Sequence, residues 1–250
     1  YVHTFDKCFF MPSDLTAGLE YNRDRLKDNM WGYNRHTDQT VNIYSAFLQN
    51  EWKNDRWGIL IGGRLDKHNM VDNVIFSPRA NLRFNPTQNI NLRLSYSSGF
   101  RAPQAFDEDM HIENVGGTVA MIERAKDLKE EKSQSFSVSA DMYHRFGAFQ
   151  TNLLIEGFYT RLTDVFVLGK PYDRGDGILV KTRSNGPGAK VMGLTLEGKV
   201  AYLSILQIQA GLTLQRSRYD EPHKWHDDAP AEKKIFRTPD TYGYFTATCT

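Results

Sequence analysis

The sequence predicts an all-β protein, an antiparallel transmembrane β-barrel, and three observations predict it. Apolar and polar residues alternate with period two over runs of about 10 residues, longer than the usual strand of a soluble sandwich. The connections between those runs alternate between long and short, as external loops and periplasmic turns do. Mean hydropathy is −0.54, and no apolar run reaches about 18 residues, so helical spans are excluded while a barrel with a polar lumen is not.

The clearest element is the hairpin at 74–103. In its first strand Phe76, Pro78, Ala80, Leu82 and Phe84 share one face, against Ser77, Arg79, Asn81 and Arg83. In its second, Ile90, Leu92, Leu94, Tyr96 and Phe100 oppose Asn91, Arg93, Ser95, Ser97 and Arg101. Asn85-Pro86-Thr87-Gln88-Asn89 between them has turn chemistry.

Taken in order, a strand is predicted at 14–24, then a polar loop at 25–39. Residues 40–53 alternate again, with Tyr44, Ala46, Leu48 and Trp52 against Ser45, Gln49 and Glu51. After the turn Asn54-Asp55-Arg56, residues Trp57, Ile59, Ile61 and Leu65 oppose Leu60, Arg64 and Asp66. Trp52 and Trp57 flank that turn, either as part of an interfacial aromatic girdle or as a cross-strand pair. Residues 104–132 lack alternation and form the longest irregular stretch, with a short helical piece predicted near Val119–Lys132. Strands follow at 133–145 and 150–162 around Phe146-Gly147-Ala148. A second long connection, 163–187, includes a strand extension at Ile178–Thr182. Strands at 190–201 and 206–218, a polar connection at 219–234 and a strand beginning near Ile235 complete about ten.

Long connections therefore follow positions 24, 103, 162 and 218, with short ones near 55, 87, 147 and 203. The modest link at 69–73 still falls on the long side.

The 31 Lys and Arg against 30 Asp and Glu leave a formal charge of +1, which gives no reason to expect nucleic acid. Aromatic content is 12%, with twelve Tyr and fifteen Phe, as strands and girdles require. Cys8 and Cys249 lie at opposite ends and imply no disulfide framework. The chain opens mid-pattern at Tyr1-Val2-His3, without a signal peptide, and stops inside an apparent strand at 242–246. It is therefore expected to be a piece of a longer protein.

At the central hairpin the residues become specific. Ser77-Pro78-Arg79, Asn85-Pro86-Thr87 and Ser97-Ser98-Gly99-Phe100-Arg101-Ala102-Pro103 resemble the barrel of TonB-dependent outer-membrane receptors, which often carry S-P-R, P-T and G-F-R-A-P pieces in this order. Asp127-Leu128-Lys129-Glu130-Glu131-Lys132-Ser133 is similar to the family's N-L-K-P-E-K-S segment, with Glu130 in place of proline. Lys190-Val191-Met192-Gly193-Leu194-Thr195-Leu196-Glu197 resembles its G-x-E strand. Arg237-Thr238-Pro239 falls at its R-P strand start, split by Thr238. The resemblance covers residues 14–250. It implies a barrel of about 22 strands with an N-terminal plug, of which residues 1–250 would be a partial barrel domain, about strands 9 to 18. Plug, early strands and last strands would be absent.

The implied function is active import across the outer membrane of a Gram-negative bacterium. A metal chelate such as a ferric siderophore, haem or cobalamin would be the ligand, with energy passed from TonB through the absent N-terminal region. Glycan or peptide import within the same family is the second reading, and a passive porin or adhesin barrel a third. Implied partners are the chelate, TonB, outer-membrane lipid and a surface lipoprotein, with no nucleic acid and no cofactor.

No H-E-x-x-H, C-x-x-C, phosphate loop or nucleophile elbow occurs, so no enzyme is expected. The resemblance places Phe106, Asp107, Glu108, Asp109 and His111 in the external loop after the G-F-R-A-P strand, where ligand contact is expected. Trp225 and His226 lie in a second external loop. There His223-Lys224-Trp225-His226-Asp227-Asp228 has metal-ligating residue types but is read as a solvated external loop, and no metal site is assigned. Arg79, Arg83, Arg93 and Arg101 form a lumen-facing basic ladder. It is expected to pair with the plug and with carboxylates such as Glu51 and Asp66, or else to attract an anionic chelate.

Overall fold

The structure, a computed structural model, describes residues 1–105, 113–115, 118–224, 230–235 and 238–249. The strands are β1 (Val2–Cys8), β2 (Met11–Met30), β3 (Arg35–Lys53), β4 (Trp57–His68), β5 (Ile75–Thr87), β6 (Ile90–Arg101), β7 (Glu113–Val115), β8 (Thr118–Arg124), β9 (Glu131–Phe146), β10 (Phe149–Thr163), β11 (Phe166–Leu168), β12 (Tyr172–Asp173), β13 (Leu179–Asn185), β14 (Ala189–Tyr202), β15 (Leu206–His223), β16 (Glu232–Lys234) and β17 (Thr241–Cys249). One 12-stranded sheet runs β1-β2-β3-β4-β5-β6-β9-β10-β14-β15-β16, with β17 also on β15. All its pairings are antiparallel. Its edges, β1 and β17, do not pair with each other, so the sheet is open.

The register confirms the faces read from alternation. Leu82 opposes Leu94 and Ala80 opposes Tyr96, while Arg83 opposes Arg93 and Arg79 opposes Ser97. Short turns at 9–10, 54–56, 88–89, 147–148 and 203–205 gather at one end, and the longer connections at the other.

Burial is inverted relative to a water-soluble sheet. Mid-sheet apolar residues stand in the open, with Leu19 88%, Ile61 56% and Val138 59% exposed. The largest fully buried apolar side chains, Met121 at 1% and Val180 at 0%, lie in the long connections. An apolar face this continuous demands an apolar surrounding. Two rows of aromatics bound it. Near the short turns Trp52 stacks on Phe10 at 5.7 Å, Trp57 on Phe84 at 4.3 Å and Phe146 on Phe149 at 5.4 Å. Toward the other end Tyr21 stacks on Tyr44 at 4.9 Å and Tyr96 meets Phe136 at 4.7 Å. Rows at Phe76 and Phe84, or Phe136 and Phe146, are about 26–33 Å apart along the strand, hence about 20–25 Å in height at barrel tilt. That is the thickness of an outer-membrane apolar band. Trp52 registers with Ile59, not with Trp57, so the two tryptophans are girdle residues rather than a cross-strand pair.

Glycines let rings lie flat along the sheet. Gly18 faces Phe47, Gly193 faces Phe158 and Gly211 faces Tyr244, each ring occupying the place a Cβ would need. At Gly193 a Cβ would also stand 2.7 Å from the Leu214 carbonyl oxygen, which the ladder holds in place. Gly193→Val is therefore expected to lower barrel stability by about 1–3 kcal/mol. The control Gly198→Val, where nothing lies within 4 Å, should leave the denaturant midpoint of refolding unchanged.

Several expectations change. Residues 2–8 add a strand. The predicted loop at 25–39 is mostly strand, since β2 and β3 climb past the apolar band to a tight turn at Trp31–Tyr33. Polar cross-strand pairs hold it there: Arg25 to Asp38 at 3.0 Å, Arg35 to Asp28 at 2.8 Å and His36 to Asn29 at 3.1 Å. Above the membrane both faces meet water, so alternation vanishes while the ladder continues. The helical piece near Val119–Lys132 is instead strand β8, and the last strand begins at Thr241 rather than near Ile235. Ile178–Thr182 lies largely in β13, as expected.

Candidate functional site: a cap over the polar face

The two longest connections build a second, 5-stranded sheet, β11-β13-β8-β7 with β12 on β13. Its centre is a parallel pairing of β8 with β13, in which Met121 opposes Val180. Parallel pairing requires distant chain segments, so the connection after β6 and the one after β10 form one unit.

Polar side chains fasten this cap to the wall. Gln39 Oε1 accepts hydrogen bonds from the Ala105 backbone N–H at 2.8 Å and the Arg124 guanidinium at 2.7 Å. Arg124 also donates to the Pro103 carbonyl at 3.0 Å. His68 is fully buried. Its Nδ1 accepts from the Met70 N–H at 3.0 Å, which leaves Nε2 to carry the proton and donate to Gln104 Oε1 at 3.2 Å. Glu131 accepts from the Phe166 N–H at 2.8 Å, and the Arg101 guanidinium lies 5.4 Å from the Phe166 ring. Arg174 reaches the Tyr33 carbonyl at 2.9 Å. Gln39, His68, Arg101 and Glu131 all belong to the polar face by strand parity. The cap is therefore fastened to that face.

Below it the wall is polar and partly ion-paired. Arg64 binds Asp66 at 2.8 Å and Glu20 at 2.9 Å and donates to Ser45 at 2.7 Å, while Ser45 donates to Asp66 at 2.6 Å. Asp66 thus pairs with Arg64 rather than with the arginine ladder. Arg83 donates to the Asn54 carbonyl at 3.0 Å. Arg79 and Arg93, both exposed, have no hydrogen-bond or ion-pair partner among the described residues.

The TonB dependent receptor-like β-barrel family matches residues 2–248. The chain belongs to that family. Among solved structures it resembles the siderophore receptor PirA from Pseudomonas aeruginosa at 17% identity and TM-score 0.72, over 87% of this chain and 41% of that one. A variant of the ferric enterobactin receptor PfeA from Pseudomonas aeruginosa gives 19% and 0.63, over 83% and 33%. The FrpB iron transporter from Neisseria meningitidis gives 17% and 0.61, over 90% and 36%. These likenesses show the fold. This chain spans less than half the length of each. No curated protein matches the chain.

Within this receptor-barrel frame, the expected loop residues Phe106, Asp107, Glu108, Asp109 and His111 lie outside the described residues, as do Trp225 and His226. Arg79, Arg83, Arg93 and Arg101 share the polar face. No group of three or more His, Cys, Asp or Glu suited to a metal occurs among the described residues. Sequence reading missed Gln39, His68, Gln104 and Arg124, because their partners lie 36 to 85 positions away.

The receptor barrel also clamps the foot of its second long connection. Asp220 binds Arg161 through both oxygens at 2.8 and 2.6 Å and Lys190 at 3.3 Å, beside a small core of Val165, Ala189 and Tyr219. The Arg161 hydrogen bond, with Lys190 adding to it, holds the Asp220 carboxyl below its usual range. A depressed folded-state pKa contributes stability above the unfolded value of about 3.9 and loses it as pH falls through the folded value. Hydrogen-exchange protection of residues 164–188 is expected to fall on acidification below about pH 4, and Asp220→Asn should remove that acid-dependent step.

Proposed function

We propose that this chain forms part of the barrel wall and external cap of an outer-membrane importer of a metal chelate in a Gram-negative bacterium, energised through TonB. The observation that carries the reading is the cap fastened to a polar wall on which Arg79 and Arg93 stand exposed, without a hydrogen-bond or ion-pair partner among the described residues. Such a wall draws an anionic chelate toward it. The solved relatives named above, siderophore and iron receptors, favour an iron chelate over haem or cobalamin. The external loops, including Asp107, Glu108, Asp109, His111, Trp225 and His226, would complete ligand capture, with a surface lipoprotein as a further external partner. TonB would act through an N-terminal region, and lipid would cover the apolar band.

The test is titration of the intact receptor, in detergent, with ferric enterobactin, haem and cobalamin separately, followed by tryptophan fluorescence. Saturable quenching by the ferric chelate supports the proposal. Saturation by none of the three would overturn it in favour of glycan or peptide import. Arg79→Gln with Arg93→Gln should slow association by about tenfold or more at low salt, an effect that disappears at high salt.

A further inference from the structure

We propose that the outer face of β10, β14 and β15 seats one anionic, multi-acyl lipid of the external leaflet. Its acyl chains would lie in a groove at Gly157 and its phosphates on the cations above. The proposal rests on the outer-membrane reading and concerns a site separate from the cap.

The apolar face is not uniform. Between β9 and β15 it holds an open groove of about 790 Å³, walled by Phe136, Val138, Tyr159, Met192, Leu194 and Leu214. Gly157 forms its floor, and a Cβ there would meet only Val138, at 3.6 Å. On the opposite face Gly193 is filled by Phe158, so the gap at Gly157 is a recess that the chain itself leaves empty.

The groove ends beneath a cluster of charge. By register Met192 opposes Arg216 and Lys190 opposes both Arg161 and Arg218, all on the outward face. Arg161 and Lys190 share Asp220, while Arg218 and Lys234 share Asp240 at 3.3 and 3.1 Å. Arg161, Lys190, Arg216, Arg218 and Lys234 thus face two carboxylates, a net charge of +3. Arg216 is exposed at the groove rim and has no hydrogen-bond or ion-pair partner among the described residues. Arg216 is level with the Tyr159–Met192 row, and the other four cations lie two positions beyond it, or about 5 Å higher at barrel tilt. That is the level of lipid headgroups. Bulk lipid tails need only a smooth apolar face, whereas a recess ending under a basic cluster fits an amphiphile with several chains and an anionic head.

The intact receptor, stripped of lipid in detergent, would be titrated with lipid A, phosphatidylglycerol and phosphatidylcholine, and bound lipid counted by native mass spectrometry. One lipid A per receptor, retained at concentrations where phosphatidylcholine is not, is the expected result. Arg216→Gln, which breaks no ion pair among the described residues, should weaken retention about fivefold, and Gly157→Phe should weaken it with every cation intact. Equal retention of phosphatidylcholine, or unchanged lipid A binding in both variants, would overturn the seat. Inorganic phosphate competing as well as lipid A would also overturn it, by showing a headgroup-only site. Insertion of the receptor into phosphatidylcholine vesicles, scored separately by resistance to unfolding in cold detergent, distinguishes failure of the membrane reading from failure of the seat.

Discussion

Gln39→Ala is expected to release the cap while leaving the barrel wall folded. One side-chain oxygen receives both the Ala105 backbone N–H and the Arg124 guanidinium, and Ala105 is itself buried. Removing the acceptor strands a buried amide and weakens the seat of a partly buried cation. A buried unsatisfied donor costs about 1–3 kcal/mol, and more when charged, so local stability of the cap should drop by about 2–4 kcal/mol. The wall loses no ladder bond, because only the side chain is changed. In the intact receptor, hydrogen exchange at residues 102–105 and 118–124 should accelerate together with that of β13, since β8 and β13 are paired. Exchange in β3 and β4 should stay slow. Gln39→Glu retains the acceptor and adds a charge for Arg124, so it should keep the cap closed. If the Ala variant left β8 and β13 as protected as before, or loosened one without the other, the cap would not be a single fastened unit.

Leu48→Arg is expected to destabilise the barrel in a bilayer far more than Gln49→Arg, one residue along the same strand. Leu48 lies four residues from both Tyr44 and Trp52 on β3, midway between the two aromatic rows, and is 56% exposed. On a water-facing sheet, an exposed Leu→Arg change is nearly neutral. At the midplane of an outer-membrane barrel it costs about 2–4 kcal/mol. Gln49 faces the other side, opposite Gly62, where water and polar groups accept a cation. Reversible folding of the intact receptor into vesicles, with denaturant midpoints for the two variants, separates these cases. Similar small effects at both positions would contradict a lipid-covered face.

The difference between wall and cap also decides what could be read in advance. A strand lying between lipid and lumen meets two solvents, so alternation writes the face of nearly every residue into the local sequence. Leu82 against Arg83 and Leu94 against Arg93 were legible for that reason, and the register agrees. The short turns, the aromatic girdle and the antiparallel order followed from the same local constraint. Once β2 and β3 leave the membrane, at Arg25 and Asp38, both faces meet water and the pattern stops, although the ladder runs on to Met30 and Arg35.

In the cap, the sequence by itself determined little beyond a strand tendency at 178–182. Pairing of β8 with β13 joins segments some 60 positions apart in parallel register. Gln39 meets Ala105 and Arg124 only because β3 and β6 belong to the same curved wall. Such polar contacts carry no periodic signal, since each depends on one side chain meeting one distant partner. Alternation determined the wall because membrane and lumen act on each residue independently of its partners, whereas the cap exists only through contacts between segments that the folded chain brings together.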